Sequence, residues 1–115
     1  MIQFGIAFGQ NDSVYTNLQY ALAHPLEVEH LDLASQDLAI LPEAIGQLVN
    51  LKTLFLEDNY FKTLPDAIGK LAKLEDLGLD GNRLVELPLS LGNLKSLKYL
   101  GIADNKLTHI PDTIA

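Results

Sequence analysis

The sequence predicts an α/β solenoid: one short parallel strand recurs once per repeat, and a short helix covers the N-terminal end. Three observations carry this. Pro42, Pro65, Pro88 and Pro111 are evenly spaced along the chain. Apolar residues repeat in phase with them, at positions 1, 4, 6, 11, 14 and 18 of each unit and at position 21 of the first three. The stretches "LPEAIGQL" from Leu41, "LPDAIGKL" from Leu64 and "LPLSLGNL" from Leu87 are near-copies, and "IPDTIA" follows from Ile110. A period of this length marks a solenoid, in which no unit buries its own apolar face and stacking makes the core.

Aligned on the prolines, the units are 28–50, 51–73, 74–96 and 97–115, the last shorter than the others. Residues 11–27 precede them as a cap, and residues 1–10 stand outside the repeat. Within each unit the "LxL" alternation, as in Leu54-Phe55-Leu56, has period 2 and reads as a strand with one buried face. A strand that returns only once per unit cannot be closed by a hairpin, so it lies parallel to its predecessor with a crossover between. Stacking then places Leu31, Leu54, Leu77 and Leu100 in one column and Leu33, Leu56, Leu79 and Ile102 in the next. On the return path, Pro suits the first turn of a short helix, and Gly46, Gly69 and Gly92 suit a tight bend or a left-handed backbone.

The cap is "TNLQYALAHP", Thr16 to Pro25. Thr16 and Gln19 form a T-x-x-Q capping box, Tyr15 and Tyr20 staple the helix start, and Pro25 stops the helix. Leu18, Ala21 and Leu22 share the face laid on the first repeat. At the other end, Leu97, Leu100, Ile102, Leu107 and Ile110 have little beyond them; either the natural chain is longer, or this edge is covered by another copy in a homodimer.

Composition bounds the function. The chain of 115 residues is long enough for one domain, and no segment approaches the roughly 18 apolar residues of a membrane span. A net charge of −7, with eight scattered Lys and Arg, excludes a nucleic-acid footprint and favours basic or neutral partners. The absence of cysteine excludes disulfides, thiolate metal sites and cysteine nucleophiles. Residues 1–10, "MIQFGIAFGQ", have two readings: the tail of a targeting signal ending at Ala7-Phe8-Gly9, or an N-terminus belonging to the folded domain. The first implies a secreted or cell-surface protein, the second a cytoplasmic one.

The pattern resembles the leucine-rich repeat family, L-x-x-L-x-L-x-x-N-x-L, in the 23-residue LPxxIGxL class of bacterial and intracellular proteins, across residues 28–115. The cap resembles a lead-in found before such repeats in some bacterial proteins. The resemblance implies a right-handed coil with a short curved parallel sheet on its concave face. In that fold Asn59, Asn82 and Asn105 at position 9, with Gln36 in the first unit, form a structural ladder that pairs with backbone groups at each bend.

Positions 3, 5, 7 and 8 then line the concave face and are free of core duty. The candidate binding residues are His30, Asp32, Thr53, Phe55, Glu57, Asp58, Asp76, Gly78, Asp80, Tyr99 and Asp104. Six of these are carboxylates, and Phe55 is a large apolar side chain beside a shallow space left by Gly78 and Gly101. Aromatic anchors in a polar rim are typical of binding hot spots, and Lys or Arg stems could stack on Phe55 or Tyr99 while meeting the acids. Solvated acidity with Phe55 covering its glycines is the alternative. Glu29, His30 and Asp32 lack a paired histidine at metal-ligand spacing, and Asp76, Asp80 and Asp104 lack a rigid calcium loop. Ser90 and Ser96 lack a histidine partner at recognisable spacing, and His24 and His109 read as surface residues. The expected function is a non-catalytic module, without cofactor or metal, that binds a protein or peptide. The alternative is self-assembly through the C-terminal repeat.

Overall fold

A computed structural model of the chain describes residues 13–114. Both readings of residues 1–10 lie outside the described residues. The period-2 stretch of every unit forms a three-residue strand: β2 (His30–Asp32), β3 (Thr53–Phe55), β4 (Asp76–Gly78) and β5 (Tyr99–Gly101). Ahead of them lie β1 (Val14–Tyr15) and α1 (Leu18–Ala23). Among the described residues the strands make one parallel sheet in sequence order, β1-β2-β3-β4-β5. From β2 onward the pairing advances by whole repeats: His30, Thr53, Asp76 and Tyr99 stand side by side, as do Asp32, Phe55, Gly78 and Gly101.

The crossovers return through 3₁₀ turns, Glu43–Gln47, Asp66–Lys70 and Leu89–Asn93, which pack on one another. Pro42, Pro65 and Pro88 stand one residue before these turns, in extended backbone, rather than inside the first turn as the sequence suggested. Each proline carbonyl accepts the N–H three residues on, at 3.0–3.1 Å. The glycines also differ from expectation. Gly46, Gly69 and Gly92 are not left-handed, and Gly81 at φ 76° is the left-handed glycine among the described residues. A Cβ on Gly69 would stand 2.6 Å from the Ser90 carbonyl oxygen, and one on Gly46 would stand 2.9 Å from that of Ala67. Glycine is therefore demanded by the stacking distance between turns, not by a bend.

The core is a set of columns. Leu31, Leu54 and Leu77 are buried in one, and Leu33, Leu56 and Leu79 in the next. Phe61 and Leu84 fill the turn column, and Ile45, Ile68 and Leu91 close the 3₁₀ side. Burial fades along the stack. Leu97, Leu100, Ile102 and Leu107 are only partly buried, and Ile110 is 42% exposed where Leu41, Leu64 and Leu87 are buried.

Asn59, Asn82 and Asn105 bind the bends between units. The Asn59 amide donates to the Leu33, Leu56 and Glu57 carbonyls at 2.9, 3.1 and 3.2 Å, and its oxygen accepts from Gln36 and Leu38 N–H at 3.1 and 2.9 Å. Asn82 repeats this one unit on, donating to Leu56 and Leu79 and accepting from Phe61 N–H. Asn105 donates to Leu79, Ile102 and Ala103 and accepts from Leu84 N–H. Gln36 departs from the set: it is exposed, and its amide reaches back to the Thr16 carbonyl at 2.9 Å.

That contact belongs to the N-terminal cap, which differs from expectation in two ways. Asn17, not Thr16, is the N-cap; its side chain accepts from Tyr20 N–H at 2.8 Å, and no capping box forms. The cap also contains a strand that the sequence reading missed: β1 pairs with β2, Val14 beside His30. Ala21 is buried, while Leu18 and Leu22 pack on the core from the same helix. Tyr15 stacks on Tyr20 at 5.5 Å, and Tyr20 on His24 at 4.0 Å. Desolvation, reinforced by the nearby Glu27 carboxylate, holds the Tyr20 phenol above its ordinary value.

Two stability outcomes are expected in urea unfolding. Asn82→Ala strands the buried Phe61 N–H and leaves the Leu56 and Leu79 carbonyls with one side-chain donor each, Asn59 and Asn105; it should cost about 1–3 kcal/mol, against under about 1 for Gln36→Ala, and equal losses would remove the ladder from the account. The Ser90 hydroxyl is buried without a partner among the described residues, where Ala67 stands one unit earlier. Ser90→Ala should therefore raise stability by roughly 1 kcal/mol; a loss would mean that the hydroxyl is satisfied.

Candidate functional site

Strand alternation turns positions 4 and 6 into the core and leaves positions 3 and 5 on the open face of the sheet. The position-3 row is His30, Thr53, Asp76 and Tyr99, and the position-5 row is Asp32, Phe55, Gly78 and Gly101. Position 7, with Glu57 and Asp80, follows immediately after the strands. The sheet thus brings most of the expected site residues onto one surface.

At the N-terminal end of this surface the polar groups satisfy one another. His30 Nδ1 stands 3.0 Å from Thr53 Oγ1, and Asp32 Oδ1 accepts from Ala34 N–H at 3.0 Å. With Glu29 paired to Lys52, the three candidate metal ligands Glu29, His30 and Asp32 are each engaged separately. Among the described residues, no group of three or more His, Asp or Glu side chains is placed to hold a metal ion. Asp80 also has a structural contact, since its Oδ1 accepts from Ala103 N–H of the next unit at 2.8 Å.

Position 8 has a backbone reason for its residues. Ser35, Asp58, Gly81 and Asp104 all have left-handed φ, at 57°, 57°, 76° and 55°. Short polar side chains and glycine tolerate that region best. The identities of Asp58 and Asp104, read from sequence as free of structural duty, thus answer in part to the bend.

What remains open lies further along the sheet. Phe55, Glu57, Asp76, Gly78, Tyr99 and Gly101 line a groove of about 280 Å³. Gly78 and Gly101 form its floor, Phe55 is half-buried beside them, and Tyr99 is 70% exposed. The Glu57 carboxylate lies over Gly78, in the space a Cβ there would need. Neither Glu57 nor Asp76 has an ion pair or side-chain hydrogen bond among the described residues. A second hollow, of about 720 Å³, lies against the N-terminal cap beside Tyr15, Asn17, Tyr20 and His24.

Sequence reading passed over position 2, where Glu29, Lys52, Glu75 and Lys98 alternate in sign at the repeat spacing. Lys52 pairs with Glu29 at 3.4 Å and Lys98 with Glu75 at 3.7 Å. Exposed pairs of this kind contribute little stability; the row stands one residue before the position-3 row, at the leading edge of the strands. Arg83 is engaged elsewhere, 4.5 Å over the Tyr60 ring.

A family model of the leucine-rich repeat region matches residues 17–114. The chain belongs to the leucine-rich repeat family. Among solved structures, this leucine-rich repeat chain is similar to an internalin, inlF, from Listeria monocytogenes, with TM-score 0.71 and 21% identity over 87% of this chain and 29% of that one. At that identity the likeness speaks for the fold. The leucine-rich repeat protein LIC12759 of Leptospira interrogans is 29% identical, with TM-score 0.48, over 89% of this chain and 38% of that one. The chain thus spans well under half the length of either. No curated protein matches it by sequence. Leucine-rich repeats commonly serve as protein–protein interaction modules and are typically non-catalytic scaffolds. No described helix is long and apolar enough to cross a membrane.

If left-handed backbone governs position 8, Asp58→Gly should unfold in urea within about 1 kcal/mol of the parent, while Asp58→Val should lose about 1–2 kcal/mol from its β-branch at positive φ. Equal behaviour of the two variants would assign Asp58 to the surface alone.

Proposed function

We propose that the chain is a non-catalytic module that binds a protein or peptide through the open, concave face of its sheet, and that the partner presents basic residues there. The observation that carries this is the groove over Gly78 and Gly101, with aromatic side chains and unpaired carboxylates on one surface. The groove is small and open, so affinity would come from an extended partner laid across the strands rather than from an enclosed ligand. The acidic surface would speed encounter with a basic partner and make association fall with salt.

A random dodecapeptide display library panned on the chain tests this. The selected peptides should be enriched in Lys and Arg. They should lose at least about tenfold in affinity on Phe55→Ala and on Asp76→Lys, an effect of about 1.4 kcal/mol or more. Asp76 is the better reversal site than Asp80, because Asp80 also holds Ala103 N–H. Both variants should melt within a few degrees of the parent. Peptides that bind both variants as well as the parent would overturn the reading.

A second reading is self-assembly through the C-terminal repeat, favoured by the outer edge of β5 and the half-exposed Leu100, Ile102 and Leu107. A molar mass that doubles with concentration in light scattering would support it. A constant monomer mass would remove it.

A further inference from the structure

The groove has a shape more specific than a general acidic face, and we infer that it is a pocket for one arginine side chain of the partner. This rests on the concave-face reading above and narrows it to a chemical group. The first observation is size. At about 280 Å³ and open along one side, the groove offers contact to one side chain of a partner laid across the strands.

The second observation concerns the floor. Gly78 and Gly101 are paired neighbours on adjacent strands, and neither has positive φ, so the backbone does not require glycine at either position. What the two glycines provide is room in which acidic side chains settle: the Glu57 carboxylate lies over Gly78, and the Asp80 carboxylate lies beside Gly101. Phe55 stands next in the same row, one strand spacing of about 4.8 Å from Gly78, and forms a wall. Tyr99 stands beside Asp76 in the neighbouring row and presents a second aromatic surface.

The third observation is the charge. Asp76 lies two residues before Gly78 on the same face, about 6.8 Å along the strand. Glu57 folds its carboxylate over Gly78 from the other direction. Lys52 and Lys98, one residue before the position-3 row, pair with Glu29 and Glu75 rather than with Glu57 or Asp76. An incoming cation would therefore meet the unpaired Asp76 and Glu57 carboxylates between two aromatic side chains.

A guanidinium meets all three conditions. It is planar and weakly hydrated, stacks on aromatic rings, and presents donors on two edges to separate carboxylates. A lysine ammonium is compact and strongly hydrated, and it gains the charge contact without the stacking.

The test is a ¹⁵N-detected NMR titration of the chain with N-acetyl-arginine amide, and with its lysine and citrulline counterparts. Arginine should shift the Phe55, Gly78 and Gly101 amides saturably, with Kd in the millimolar range expected of about 4 kcal/mol. Lysine should bind at least about threefold more weakly. Citrulline, which keeps the planar shape without the charge, should give no saturable shift. Asp76→Asn and Gly101→Val should each abolish the arginine response while the Leu31 and Leu33 amides stay in place. Equal response to lysine, saturable binding of citrulline, shifts centred on Asp58 and Asp104, or no shift at all would each overturn the arginine pocket. Display peptides that depend on Phe55 but show no arginine preference would overturn it while leaving the concave-face reading standing; peptides indifferent to Phe55 and Asp76 would overturn that reading itself.

Discussion

At each bend after a strand, inward-facing N–H and C=O groups must find partners, and a single buried amide supplies them. Asn59, 2% exposed, satisfies carbonyls of its own unit and the one before, and two N–H groups of the preceding bend. Asn82 and Asn105 do the same work one and two units on. Buried polar groups left unpaired are costly, so each bend is weakened without such a partner. Because each asparagine spans two units, it also fixes their relative register. The leucine columns then follow, since a one-residue slip would turn every buried side chain outward.

That register decides which residues are free. Positions 4, 6 and 9 are committed to the core and the ladder. Position 8 is committed to a left-handed backbone, and the convex glycines to the approach of neighbouring turns. The constraints leave positions 3, 5 and 7, and their occupants change character along the sheet. Near the N-terminal cap they bind one another, as His30 does Thr53. Toward β4 and β5 they leave Phe55, Asp76 and Tyr99 around Gly78 and Gly101, with the Glu57 carboxylate lying over Gly78. The acidic character of this end is not neutralised by the sheet's own lysines, which sit at position 2 in pairs with Glu29 and Glu75.

Much of this was legible in the sequence, because a repeat states its own alignment. Once the prolines set the phase, the columns, the parallel order of β2 to β5 and the outward rows followed from a period of 2 nested within the longer repeat. Two glycines in one column marked the groove beside Phe55, but the sequence does not show that the Glu57 carboxylate lies over Gly78. Features outside the repeat were harder to read. β1 is a very short strand, and Val14 lies closer in sequence to its partner His30 than one full repeat, so no alignment exposes it. The cap was misassigned by one residue because Thr16 and Asn17 are both good N-caps and only the backbone chooses between them. The role of Gly69 depends on how closely Ser90 approaches from the next unit, a distance that the sequence does not carry.

The direct test of the ladder is native-state amide hydrogen exchange at Leu38, Phe61 and Leu84, whose N–H groups donate to Asn59, Asn82 and Asn105. If the asparagines hold the bends and fix the register, these amides should exchange only through global opening, at the free energy measured by urea unfolding. Exchange through local opening, while the Leu54 and Leu77 amides remain protected, would contradict the claim: the bends would then be loose and the strands would hold the register alone.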